Sequence, residues 1–122
     1  MINFTFLTQQ VIGVFYKSEE MRKNLWNGFL KDLPFGYIDS FSRSKNRAYI
    51  RLKNGTVIYF FDIKDFYRRY LRFDCVIIDE KIKLKDRQER IFPYFCGHPY
   101  RIIILKWNKS KKEFERKIGY NG

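Results

Sequence analysis

Asn54-Gly55 separates two runs that suit β-structure, Tyr49-Ile50-Arg51-Leu52-Lys53 and Thr56-Val57-Ile58-Tyr59-Phe60-Phe61, and no other stretch limits the fold as strongly. The first run alternates apolar and basic residues, as a strand with one buried face does. An Asn-Gly pair supplies the two positive-φ residues of a type I′ turn, whose twist matches that of the strands it joins. A β-hairpin is predicted here.

The remaining elements follow from periodicity. Val11-Ile12-Gly13-Val14-Phe15-Tyr16 reads as an apolar strand, followed by Ser18 as a helix N-cap and by Glu19 and Glu20 where a helix favours negative charge. Met21, Leu25, Trp26, Phe29, Leu30 and Leu33 then recur at helical spacing and stop at Pro34. Residues 34–46 show no sustained period and are read as a connection. Phe66, Tyr67, Tyr70 and Leu71 fit a turn or two of helix, and Asp74 to Asp79 fits a strand. Residues 81–90 are polar, and Tyr100 to Trp107 is a strand whose Ile102 to Leu105 are apolar on both faces, as in the middle of a sheet. Lys109 to Lys117 fits a terminal helix or a hairpin arm. Together these elements predict one domain over residues 1–122, α+β or α/β, with a mixed sheet, the Asn-Gly hairpin and a packed amphipathic helix.

Composition narrows the function classes. Hydrophobic residues make up 45% of the 122, with 13 Phe, 9 Tyr and 2 Trp, enough for a packed core. No apolar run reaches bilayer length, and Met1-Ile2-Asn3-Phe4-Thr5-Phe6 lacks the basic start of a signal peptide, so a cytoplasmic protein with no membrane partner is expected.

Twenty-five Lys and Arg against 13 Asp and Glu leave a net charge of +12, which attracts polyanions. Arg43, Lys45, Arg47, Arg51 and Lys53 form an acid-free stretch. Arg68 and Arg69 follow, with Arg72, and then Lys109, Lys111 and Lys112 among further C-terminal cations. Nucleic acid is the expected partner class, although lysine-rich faces are also ordinary solvated surface. Cys75 lies in an apolar run and reads as a small core residue. Cys96 and His98 fall short of a zinc ligand set.

Asp74-Cys75-Val76-Ile77-Ile78-Asp79-Glu80 delivers two adjacent carboxylates from an apolar strand. With the Asn-Gly hairpin and the arginine-containing Leu71-Arg72-Phe73 before it, residues 11–80 resemble the Walker B region of phage large terminase and helicase-like P-loop ATPases. The resemblance implies magnesium on Asp79 and water activation by Glu80. It departs from that family in lacking any G-x-x-x-x-G-K-[ST] phosphate loop, whose amides and lysine would hold the triphosphate. Autonomous ATP hydrolysis is therefore not expected, and the two acids also suit a strand end that meets water.

Three functions remain in competition. A non-catalytic basic protein would bind DNA, RNA or a nucleoprotein. It would suit a phage or mobile-element accessory role, including inhibition of a host nucleoprotein such as a CRISPR effector, with an ATPase-derived DNA-packaging fragment as the alternative. A magnesium-dependent nuclease would use Asp79 and Lys81 as the D-x-K half of a PD-(D/E)xK site, with Asp62 or Asp74 as second acid. A protein-binding factor would present aromatic anchors, with Trp26 the first to examine. No cofactor is expected unless the nuclease or ATPase reading brings in magnesium.

Overall fold

The computed structural model describes residues 9–44, 47–66, 73–91 and 101–117. Seven strands form one mixed sheet: β1 (Val11–Tyr16), β2 (Ile38–Ser42), β3 (Tyr49–Leu52), β4 (Val57–Asp62), β5 (Cys75–Asp79), β6 (Arg101–Asn108) and β7 (Glu113–Lys117). Their order is β2-β3-β4-β1-β5-β6-β7. The middle four run parallel, while β2, β3 and β7 add antiparallel pairs at the two flanks. With helices α1 (Glu19–Asp32) and α2 (Leu84–Asp86), this is the α+β domain expected from the sequence.

Strand alternation divides the core into two layers. Ile12, Val14 and Tyr16 of β1, Cys75 and Ile77 of β5, and Ile103 and Leu105 of β6 face α1, where Met21, Leu25, Trp26 and Phe29 cover them. Phe15, Val76, Ile78 and Ile104 face the other way and meet Ile63, Phe66, Phe73, Ile82 and Ile91. Burial on both faces explains why β5 carries no alternation at all, Cys75 through Asp79 being buried throughout. Phe15 anchors the second layer through edge-on contacts with Phe66 at 4.9 Å and Phe73 at 5.7 Å.

The capping chemistry of α1 is as expected. Ser18 Oγ accepts the Met21 N–H at 3.1 Å, and the helix ends at Asp32, with Leu33 extended before Pro34. Against its apolar stripe runs a second one, Asn24, Asn27, Gly28 and Lys31, at i, i+3, i+4 and i+7. Asn and Gly in a helix interior each cost up to about 1 kcal/mol relative to Ala, so this stripe weakens the helix without contributing to the core.

Two sequence expectations are corrected. The β3–β4 hairpin forms, but of the Asn54-Gly55 pair only Gly55 takes positive φ. Gly55 N–H donates to Leu52 C=O at 3.0 Å and Leu52 N–H to Thr56 C=O at 2.8 Å, a three-residue loop closed by a glycine bulge instead of a type I′ turn. Residues 34–46, read as a connection, contain a 3-10 turn (Phe35–Tyr37) and the edge strand β2, whose register slips between Ile38 and Ser40. Its Asp-Ser-Phe-Ser sequence has little β-propensity, and the bulge hides the alternation. Lys109 to Lys117 resolves as the hairpin arm ending in β7. The polar stretch after β5 holds α2 and a π-helical turn, Arg87–Ile91, tied back by Arg87 to the Ile82 and Glu80 carbonyls. No described helix is long and apolar enough to cross a membrane.

Candidate functional site

The sheet order sorts the basic residues into two groups. Arg43, Arg47, Arg51 and Lys53 are exposed along the β2–β3 flank, and Lys109, Lys111 and Lys112 are exposed in the turn between β6 and β7. Five strand spacings separate β3 from β7, roughly 24 Å, so the two groups form separate patches. Lys45, Arg68 and Arg69 lie outside the described residues, as do Arg72, Tyr67, Cys96 and His98.

Arg43, Arg47, Arg51, Lys53, Lys111 and Lys112 make no ion pair among the described residues, whereas Lys109 reaches Glu20 at 3.9 Å. All 13 acids lie within the described residues, and none of them is ion-paired there with Arg43, Arg47, Arg51 or Lys53. On the face opposite α1, the Arg51 guanidinium sits 5.9 Å from the centroid of the Tyr49 ring, and Tyr49 pairs across the strands with Tyr59. Both tyrosines are half-buried.

Asp79 occupies a different place, at the carboxyl end of β5. There the parallel strands β1 and β5 part toward opposite layers, a position where open α/β sheets commonly carry ligands. Its residue is 2% exposed, and its carboxylate is held by backbone: Oδ2 accepts the Lys17 N–H at 3.2 Å and Oδ1 the Lys81 N–H at 3.0 Å. Burial pushes its pKa up, opposed by those two N–H groups and by the Lys81 ammonium. A cleft of about 230 Å³ opens beside it, lined by Ser18, Glu20, Glu80, Lys106 and Trp107 among others.

The acids that a nuclease or magnesium reading needs do not converge on Asp79. Asp74 lies beyond the opposite end of β5, roughly 16 Å along the strand, with Oδ2 accepting the Val11 N–H at 2.8 Å. Asp62 ends β4, two strand spacings or about 10 Å away, and its Oδ1 caps the Lys64 N–H. Glu80 is drawn to Lys117 at 3.9 Å. Among the described residues no group of three His, Cys, Asp or Glu could hold a metal ion. The donor set around Asp79 thus suits a latch between two chain turns better than a magnesium centre.

Trp26, the candidate docking anchor, is 8% exposed and packs against Phe60 at 5.1 Å and Phe41 at 6.1 Å. It belongs to the core. Cys75 is buried too, and desolvation pushes its thiol up to about 11.

A second, larger recess went unseen in the sequence. It lies between α1 and the β6–β7 hairpin, has a volume of about 400 Å³, and is lined by Asn24, Asn27, Gly28, Trp107, Lys111 and Lys112 with neighbouring residues. Half-buried Trp107 meets Phe114 edge-on at 4.8 Å along this groove. The signal available in the sequence was the run of poor helix formers on α1, which the apolar period overshadowed. No protein-family model, curated protein or solved structure matches the chain.

Proposed function

We propose that the chain binds nucleic acid without acting chemically on it, and that the β2–β3 flank is its main phosphate contact. One observation carries this reading: Arg43, Arg47, Arg51 and Lys53 stand exposed on one flank, none of them neutralised by an acid, with Arg51 laid over Tyr49. Unpaired guanidinium and ammonium groups release condensed counterions from a phosphate backbone when they bind it. The half-buried tyrosines add aromatic surface beside them, on which an unpaired base can stack. Binding of this kind suits an accessory protein of a phage or mobile element that occupies a host nucleoprotein, a CRISPR effector among them.

Affinity measured against salt concentration tests the proposal. Four phosphate contacts give a slope of log K on log salt of about −3 to −4, and replacing all four cations with alanine flattens it. An affinity indifferent to salt removes the reading.

A further inference from the structure

We propose that the groove between α1 and the β6–β7 hairpin receives one unpaired base of a bound strand, so that the protein prefers single-stranded nucleic acid to duplex. This deepens, and rests on, the nucleic-acid-binding reading above.

The groove combines aromatic, amide and cationic side chains. Half-buried Trp107, backed by the buried Phe114 ring, supplies aromatic surface, the Asn24 and Asn27 amides supply donors and acceptors, and Lys31, Lys111 and Lys112 supply cations. Stacking on an aromatic ring, hydrogen bonds to base edges and charge for the phosphate are the three contacts by which proteins hold unstacked bases. The three lysines outnumber the acids on the lining, Asp32 and Glu113. A recess of about 400 Å³ lies in the size range of small-molecule sites, roughly 300 to 1,000 Å³. A paired base, locked in its stack, has no way into it.

Asn24, Asn27 and Gly28 stand in the interior of a 14-residue helix and not at its caps, and the two amides make no hydrogen bond within the described fold. They disfavour the helix that carries them, and all three face the groove. Local choices that oppose the fold without a structural return are expected where a ligand is served. Gly28 lines the groove without a side chain of its own.

Fluorescein-labelled uridine and thymidine oligonucleotides, each alone and annealed to its complement, give the test by anisotropy at low salt. The expected result is that at least one single strand binds about tenfold or more tighter than its duplex. Gly28→Leu and the double variant Asn24→Ala/Asn27→Ala bring the two within about twofold of each other, and leave duplex binding where it was. Both variants raise helix propensity, so thermal unfolding is expected at or above the wild-type temperature, and each stands in for the other if one fails to fold. Equal binding of single strand and duplex, or a preference unchanged in both variants, overturns the groove while leaving the phosphate contact intact. Absence of binding to every probe overturns the nucleic-acid reading itself, and the groove proposal with it.

Discussion

The carboxylate of Asp79 accepts the backbone N–H of Lys17 at 3.2 Å, which ties the end of β5 to the turn that leads from β1 into α1. With the Lys81 N–H on its other oxygen at 3.0 Å, one buried side chain sets the spacing of two chain turns above the parallel strands. Asp79→Ala leaves both N–H groups without this acceptor and is expected to cost about 2 kcal/mol or more. Urea unfolding measures it, and an unchanged midpoint contradicts the latch.

The same carboxyl group gives the protein a pH dependence of defined sign. Burial raises its folded pKa, so the folded chain keeps a proton that the unfolded chain, near pKa 3.9, has already released. The resulting stabilisation is complete below the unfolded value and is lost as pH rises through the folded one. The stability of the wild type relative to Asp79→Asn should therefore be greatest at and below the ordinary carboxylate pKa and shrink as pH rises above it. A difference that grows with pH would show that hydrogen bonding outweighs desolvation.

Gly13 of β1 has no room for a side chain. A Cβ there would lie 2.9 Å from Cε1 of Phe73 and 3.0 Å from Cε2 of Phe15, two rings that are themselves fully buried. Gly13→Ala should cost about 1–3 kcal/mol through overpacking, seen as a lower urea midpoint with the same denaturant slope.

Arg51 and Lys53 are exposed, and under the proposed function they serve binding and not folding. Arg51→Ala/Lys53→Ala should reduce the salt slope of nucleic-acid binding by about 1.4 to 1.8, while stability stays within about 0.5 kcal/mol per site. An unaltered slope would move the phosphate contact away from β3.

Cys75 should resist alkylation. Its thiol is 1% exposed, and burial holds its pKa at about 11, so little thiolate exists at neutral pH. Peptide mapping after native treatment with iodoacetamide should find Cys75 unmodified, and after treatment in denaturant should find it labelled. Native labelling would mean that β5 opens readily.

What the sequence disclosed was mainly local. Asn54-Gly55 marked a hairpin as a pair suited to two positive-φ positions, although only Gly55 takes positive φ and the flanking hydrogen bonds chose a bulged loop over the expected turn. Ser18, the apolar stripe of α1 and Pro34 fixed that helix almost to the residue. Ile38 to Ser42 escaped notice because an edge strand with a bulge buries too few residues to impose a period. The location of Asp79 at a strand end was legible. Its engagement by Lys17, 62 positions away, depends on β1 and β5 being neighbours, which no local pattern encodes. The groove is non-local in the same way, since Asn24 and Trp107 meet only once the sheet has ordered its strands.

The strand order also governs the time course of assembly. Val11 pairs with Val57 and Ile12 with Cys75, so both neighbours of β1 lie far along the chain and its pairing is slow to close. Hairpins β3–β4 and β6–β7 can close within microseconds on local contacts alone, roughly 1–10 μs, whereas β1 waits for the long loops to close around it. Until then Val11 to Tyr16 is an apolar β-former with both edges unsatisfied, a segment prone to stick to another copy of itself.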